Sequence, residues 1–242
     1  MIAALEPCFT GNLVWYGERM ALAGEREPSV AGTQLLEPCA ARQVIGAFAA
    51  AYPDCDGRAV VSLWTQWYFA ALVIPSVAAA VRLGRVLPVG IGEIGIVLGE
   101  EGQPDAIVIE HDGTVPPLGA AELFEKLISE NMEPLVAALC RAFAVSPRLM
   151  WSNAATVLEW ALSQSEAGIV RDAAALAEGR RRLHGRMTAL GLANPLHEPV
   201  RYVTEQGTRI RRRRVCCLRY LLNGEEHCGS LCPLPSIRKS AS

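Results

Sequence analysis

The chain has 242 residues, of which 51% are hydrophobic and 20% charged, so it is long and apolar enough to bury a large core. Its formal net charge of -2 is too small to indicate a nucleic-acid or membrane partner for the whole molecule. Residues 1–11 lack the basic start and continuous apolar run of a secretory signal. The eight cysteines are therefore expected to be reduced, which favours metal or redox chemistry over disulfides.

The first predicted elements are two helices. A short helix over 43–52 should stop at the proline that follows, because the residue before a proline disfavours the α conformation. The uncharged segment 59–81 has the length of a bilayer-spanning helix, but it contains polar side chains, Pro75 and centrally placed aromatic residues. We therefore predict a buried core helix over 60–87 with a break or kink near Pro75. A weak association of 64–81 with the inner membrane surface is also compatible with this pattern.

A glycine-rich stretch follows this helix. Residues 90–95 have the Gly-x-Gly-x-x-Gly spacing of a dinucleotide fingerprint, which requires a strand before it and a helix after it. Here a helix-like segment precedes the glycines, and residues 94–98 and 106–110 have the pattern of a β-hairpin. We interpret the glycines as turn residues and the acidic and histidine group at 110–112 as a solvated turn.

Three further helices are predicted in the second half of the chain. Residues 119–143 carry leucines on one face, which predicts a helix with a break at Pro134. Ser146 is a candidate N-cap for a helix that begins with the following proline. Apolar residues over 169–190 recur at spacings of four and three, which predicts an amphipathic helix ending at Gly191.

The composition then changes, and two short strands are predicted over 200–204 and 208–212 around a Gln-Gly turn. The predicted fold class is α+β, mainly α, with two parts. Residues 1–193 form a mainly helical body with an internal β-hairpin, and residues 194–242 form a C-terminal cysteine-rich segment.

Half of the cysteines fall into one short stretch near the end of the chain: Cys216, Cys217, Cys228 and Cys232. Four thiolates brought together by a short loop suit a soft metal centre. Neighbouring side chains on an extended strand point to opposite sides, so an adjacent pair is awkward for a tetrahedral zinc site, whereas a two-iron cluster divides its ligands between two metals. On ligand count alone, a four-iron cluster and zinc both remain open. The four scattered cysteines are interpreted as buried small hydrophobic residues.

An arginine-rich run, 209–214, leads into the cysteines. Cationic side chains near a thiolate-bound cluster would stabilise its reduced form and raise its potential. The run has no interleaved aromatic residues, and we predict no nucleic-acid partner.

The cysteine stretch resembles the C-terminal signature of the FhuF-like ferric siderophore reductases. The likeness rests on the pair Cys216-Cys217, ten intervening residues, Cys228, the preceding arginines and the trailing Cys232-Pro233. Weaker likenesses lie at Trp67-Tyr68-Phe69, at residues 146–155 and at residues 194–196. One feature departs from the family pattern: Cys228 and Cys232 are separated by three residues instead of two, which bears on the geometry at the second iron.

The resemblance implies a [2Fe–2S] cluster that passes one electron to Fe(III) held by a siderophore, of hydroxamate type, in the cytoplasm. Hard oxygen ligands hold Fe(III) more tightly than Fe(II), so reduction releases the metal. An external donor such as a ferredoxin or a reduced flavoprotein is expected. The candidate substrate contacts are Arg209, Arg211, Arg213, Trp151 and Asn153.

Two alternatives are of a different functional class. One is a siderophore-recognising module whose cysteines hold a structural zinc, and the other is a cluster-based sensor or carrier without a small-molecule substrate. Iron and sulfide analysis separates the first from the reductase, and mixing the reduced protein with a ferric hydroxamate separates the second.

Overall fold

The fold is organised around one long central helix. The computed structural model describes residues 1–115 and 120–235. In it, α1 (Pro38–Ala49) begins earlier than predicted, with its proline in the first turn, and is followed by α2 (Gly57–Leu83). The Asp56 carboxylate caps α2 by accepting from the Arg58 N–H at 2.9 Å, and Gly84 ends it with a positive φ of 68°.

Helix α2 runs through Pro75 without the predicted break. Its length and composition would allow it to cross a membrane. However, 83% of its apolar 18-residue stretch is buried inside the protein. The prediction of a core helix is therefore confirmed. Core side chains surround this part of the helix, and their packing offsets the loss of the backbone hydrogen bond that the proline removes.

A four-stranded sheet covers one side of α2. Its strands are β1 (Met20–Leu22), β2 (Val30–Ala31), β3 (Ile94–Leu98) and β4 (Pro104–Ile109), in the order β1-β4-β3-β2. The predicted hairpin is confirmed as the antiparallel pair β3–β4, and the glycine-rich residues 90–93 form the turn that leads into it. The outer strands were not predicted, because two or three residues are too few to show an alternating pattern.

Three helical regions complete the body: α3 (Ala120–Phe124), which continues through a π-helical segment (Glu125–Met132) into α4 (Glu133–Phe143), then α5 (Pro147–Glu166) and α6 (Ala173–His184). Gly119, the first residue of the predicted 119–143 helix, lies outside the described residues. The π-helical segment ends just before Pro134, which then lies in the first turn of α4. A proline is tolerated there because first-turn N–H groups have no partner within the helix.

Helix α6 is shorter than predicted at both ends. Asp172 caps its start by accepting from the Ala175 N–H at 3.0 Å. At its other end the Asn194 amide donates to the carbonyls of Arg182 and Gly185, at 2.6 and 2.7 Å, and these contacts satisfy the last turn. The predicted apolar residues beyond His184 are exposed, Leu190 by 85%, so the prediction of a helix to Gly191 was wrong.

The predicted C-terminal hairpin is confirmed as β5 (Val200–Glu205) and β6 (Thr208–Arg213). Both turn residues have positive φ, 50° at Gln206 and 78° at Gly207, as a two-residue hairpin turn requires. The hairpin lies against α5, where Arg211 Nε contacts Glu159 Oε2 at 2.5 Å. Strand β6 thus delivers the cysteine stretch to the region between the first turns of α2 and α5.

The four scattered cysteines differ in exposure. Cys8 is fully buried, and burial raises the pKa of its thiol to about 12. Cys55 and Cys140 are partly buried, whereas Cys39 is exposed. The prediction of buried small hydrophobic residues therefore holds for Cys8 and was wrong for Cys39.

Candidate iron–sulfur site

The four cysteines of the C-terminal stretch come together directly after β6. All are free thiols; Cys217 and Cys232 are 1% exposed, and Cys216 and Cys228 are partly buried. The sulfur atoms of Cys217 and Cys228 are 3.8 Å apart. Two thiolates that bind one tetrahedral metal at about 2.3 Å lie about 3.8 Å apart, so this pair has the separation of ligands to a single metal.

The adjacent pair does not lie on an extended strand. Strand β6 ends at Arg213, and the chain turns after the pair at Leu218, whose φ is +64°. The Leu218 N–H points at Cys216 Sγ, 3.4 Å away. This backbone donor suits a thiolate, because N–H groups directed at sulfur ligands stabilise their negative charge. Within residues 1–115 and 120–235, no three His, Cys, Asp or Glu side chains are arranged to hold a single metal ion.

A buried cation lies beside the thiols. Arg213 is 2% exposed, and its guanidinium donates to Asn153 Oδ1 and, at 3.5 Å, to Gln66 Oε1. Its Nε is buried without a hydrogen-bond partner among the residues that the structure describes. Burial lowers the pKa of Arg213, and the charges of three of the four cysteines oppose that shift. A buried cation needs a nearby negative charge, and an anionic thiolate cluster would supply it, so the donor set fits an iron–sulfur centre.

Asn153 links this cation to the two longest helices. Its side chain has no solvent exposure, and its amide donates to Ser62 O, Ser62 Oγ and Thr65 Oγ1 at 2.9–3.0 Å. Ser62 Oγ in turn donates to the backbone carbonyl of Cys217 at 2.8 Å. A chain of buried hydrogen bonds therefore positions Cys217 from α5 and α2. Asn153, one of the predicted substrate contacts, therefore lies in the interior, where its side chain contacts Ser62, Thr65 and Arg213.

The two thiols of the close pair have pKa values shifted in opposite directions. The hydrogen bond between them lowers the pKa of Cys217 against the opposing effect of burial, and the charge of Arg213 also lowers it. The same hydrogen bond, together with burial, raises the pKa of Cys228. A lowered pKa favours the thiolate, which is the form that binds metals.

The loop that carries Cys228 is anchored to the turn after α1. The Tyr52 hydroxyl donates to Glu225 Oε1 at 2.6 Å, and the Asn223 N–H contacts Cys55 Sγ at 3.4 Å. These contacts hold the middle of the ten-residue segment between Cys217 and Cys228.

The predicted substrate residues do not converge. Arg209 is exposed, with its guanidinium carbon 4.1 Å from the centre of the Tyr202 ring, and it lines a cleft of about 850 Å³ between the hairpin, α5 and α6. Arg211 forms an ion pair with Glu159. Trp151 is partly buried against the core. Arg213 and Asn153 contact each other in the interior, away from the exposed Arg209, so the five residues do not form one site.

Sequence reasoning missed a second pocket, which, unlike the cleft beside Arg209, is lined by one of the four thiols. Arg58, Arg148 and Arg214 line a pocket of about 410 Å³ together with Cys216. Two of these arginines belong to the first turns of helices, and a signal for one was present in the Ser-Pro helix start just before Arg148. Cys216 is thus a thiol of the quartet that borders solvent-accessible space.

Replacing Arg213 by methionine, which is uncharged and similar in length, is expected to make the cluster potential more negative. A contact to a charged group contributes about 1.5–3 kcal/mol, and for one electron about 59 mV corresponds to about 1.4 kcal/mol, so we expect a shift of about 60–130 mV. A spectroscopic redox titration measures it. Arg213→Lys should recover part of the shift, and Arg201→Met, at an exposed position on β5, should leave the potential unchanged. An intact cluster with the wild-type potential in Arg213→Met would contradict the assignment.

Grouped thiols that face a buried cation meet the needs of an anionic cluster and place the chain in the class of iron–sulfur redox proteins. Comparison with known families agrees and is more specific: the chain belongs to the FhuF-like ferric iron reductase family. The model described as "Ferric iron reductase FhuF-like transporter" matches residues 62–210, and the "FhuF 2Fe-2S C-terminal domain" matches residues 213–234, which include all four cysteines. The cofactor of this segment is therefore a [2Fe–2S] cluster.

A curated relative and two solved structures are similar to the chain. The ferric siderophore reductase of Escherichia coli (strain K12) is 25% identical over 215 residues, which cover 84% of this chain and 80% of the relative. Aerobactin synthetase IucA from a hypervirulent pathotype of Klebsiella pneumoniae matches 69% of this chain at 14% identity. The TM-score is 0.54 for its ATP-bound form and 0.53 for a second structure. This chain covers only 36–37% of the synthetase, and the similarity is one of fold.

Proposed function

We propose that this protein reduces Fe(III) held by a hydroxamate siderophore in the cytoplasm and so releases Fe(II). The observation that carries the proposal is the position of Cys216, which belongs to the thiol quartet and also lines an open pocket. The family and the similarity to a ferric siderophore reductase support it. In this proposal residues 1–193 form the body that seats the chelate, and residues 194–242 hold the cofactor.

The residues of this chain have separate tasks in that reaction. Cys216, Cys217, Cys228 and Cys232 are the proposed ligands of the [2Fe–2S] cluster, which when bound accepts and donates one electron at a time. Arg213 places positive charge against the thiolates and favours the reduced state. Asn153 and Ser62 hold Arg213 and the Cys217 backbone in position.

The electron balance requires a partner and one substrate. One electron enters from an external donor, a ferredoxin or a reduced flavoprotein, and one electron leaves to Fe(III). The hydroxamate oxygens are hard ligands and bind Fe(II) more weakly than Fe(III), so the metal dissociates after reduction. No general acid or nucleophile is needed.

The decisive experiment is anaerobic stopped-flow mixing. The reduced holoprotein is mixed with a ferric trihydroxamate in the presence of a chromogenic Fe(II) chelator. We expect the visible absorption of the oxidised cluster to return at a rate that depends on chelate concentration, with one Fe(II) formed per reduced protein. The gallium(III) complex of the same ligand is the control, because it has a similar shape and is not reduced. A protein that stays reduced with the ferric complex would instead be a carrier or sensor, and the proposal would be abandoned.

A further inference from the structure

The pocket beside Cys216 has a distinctive charge. It lies between the first turns of α2 and α5 and the start of the cysteine stretch, and three of its lining residues are arginines. Leu149 and Leu218 supply apolar lining. Its volume of about 410 Å³ falls within the range of small-molecule sites, roughly 300–1,000 Å³.

The positive charge of this pocket is only partly neutralised. Arg58 is paired with Asp56 and Arg214 with Glu198, each at 2.6 Å, but both carboxylates belong to residues outside the lining. Arg148 is exposed and has no carboxylate oxygen within 4.0 Å among residues 1–115 and 120–235. The residues that line the pocket thus include three arginines and no acidic residue.

The large cleft beside Arg209 differs in this respect. The acidic residues Glu159, Glu166 and Glu198 line this cleft together with its arginines. The Arg180 guanidinium also forms an ion pair with Glu166. Mixed charges of this kind do not select for one sign of ligand. Of the two openings, the smaller one therefore combines access to a thiol of the quartet with a single sign of lining charge.

From these features we infer that the pocket at Cys216 binds an anionic ferric chelate, one whose hydroxamate groups hold the iron and whose free carboxylates contact Arg58 and Arg148. The inference rests on the proposed function and adds the charge of the substrate to it. Guanidinium groups bind carboxylates through paired, charge-assisted hydrogen bonds, which makes arginine suited to this recognition. The pocket is open to solvent and has the volume of a small-molecule site, whereas an acidic protein donor would dock through a broader surface.

The test measures equilibrium binding, so that it is independent of turnover. Oxidised holoprotein is titrated by calorimetry with two gallium(III) hydroxamate complexes of equal denticity, one neutral and one carrying free carboxylates. We expect the anionic complex to bind up to about tenfold more tightly, since two exposed ion pairs together are worth about that factor. The preference should diminish as ionic strength rises, because the arginines are exposed.

The variant Arg58→Gln/Arg148→Gln should lose this preference while it retains the same iron and sulfide content as the wild type. Arg58→Lys/Arg148→Lys should retain part of it. Arg141→Gln, at an exposed position on α4, is the matched control and should bind like the wild type. Equal affinity for the two complexes, or an unchanged preference in the double glutamine variant, would overturn the inference.

The experiment distinguishes failure of the charge preference from failure of the proposed function. If the protein binds neutral and anionic ferric hydroxamates with the same affinity and reduces both, the charge preference is refuted and the proposed function stands. If binding of the gallium complexes depends on Arg58 and Arg148 but no ferric complex oxidises the reduced protein, the pocket is confirmed and the proposed function fails. If the double variant impairs only reduction by an acidic ferredoxin, the pocket belongs to the electron donor and the inference is overturned.

Discussion

Replacing Asn153 by alanine is expected to lower the free energy of unfolding by about 3–5 kcal/mol. The substitution removes the acceptor of the buried Arg213 guanidinium and the donor to Ser62 and Thr65, all within a region that has almost no solvent exposure. Buried polar groups left without partners cost their full desolvation penalty, and a charged group costs most. Denaturant titration of the holoprotein under anaerobic conditions, compared between variants, measures the effect.

The matched control is Asn12→Ala. Asn12 donates to the Gln164 side chain at 2.8 Å, but both groups are at the surface, and we expect a change of at most about 0.5 kcal/mol. A double variant sharpens the test: Asn153→Leu/Arg213→Met removes both buried partners and should be less destabilised than the sum of its single variants. Additive losses would show that the two side chains are not coupled.

Replacing Cys217 by serine is expected to abolish stable cluster binding. Cys217 is buried, and its sulfur has the spacing to Cys228 Sγ that one tetrahedral metal requires. Changes to groups that merely support metal ligands typically cost 10–100-fold in affinity, so loss of a ligand should cost more than about 100-fold. Iron and acid-labile sulfide should fall from two of each per chain to near zero, and the visible absorption should disappear.

The control for this variant is Cys39→Ser, at the exposed cysteine of α1. It should retain two iron and two sulfide ions per chain and the wild-type spectrum. A Cys217→Ser protein that is folded and carries a full cluster would remove Cys217 from the ligand set. Loss of the cluster in Cys39→Ser would show that the site extends beyond the C-terminal quartet.

Several elements were predictable because their signals are local. The alternation in 94–98 and 106–110 and the Gln-Gly turn at 206–207 each specify a hairpin through contacts between near neighbours in the sequence, and both hairpins are present. The Ser-Pro start of α5 lies where it was predicted. The end of α6 was missed because it depends on Asn194, whose amide donates to carbonyls 12 and 9 residues earlier in the chain.

The sequence by itself determined the chemistry of this protein: the spacing of four cysteines and the arginines before them carried both the metal centre and the family, because ligand identity and spacing are local properties of the chain. Only the tertiary structure decided which arginines are buried beside the thiols and which line the open pocket. Asn153 and Ser62 are far from the cysteines in sequence, and their roles arise where α2 and α5 meet behind Cys217. Alternation along β6 cannot reveal this, since the environment of each side chain is set by helices that pack from elsewhere in the chain.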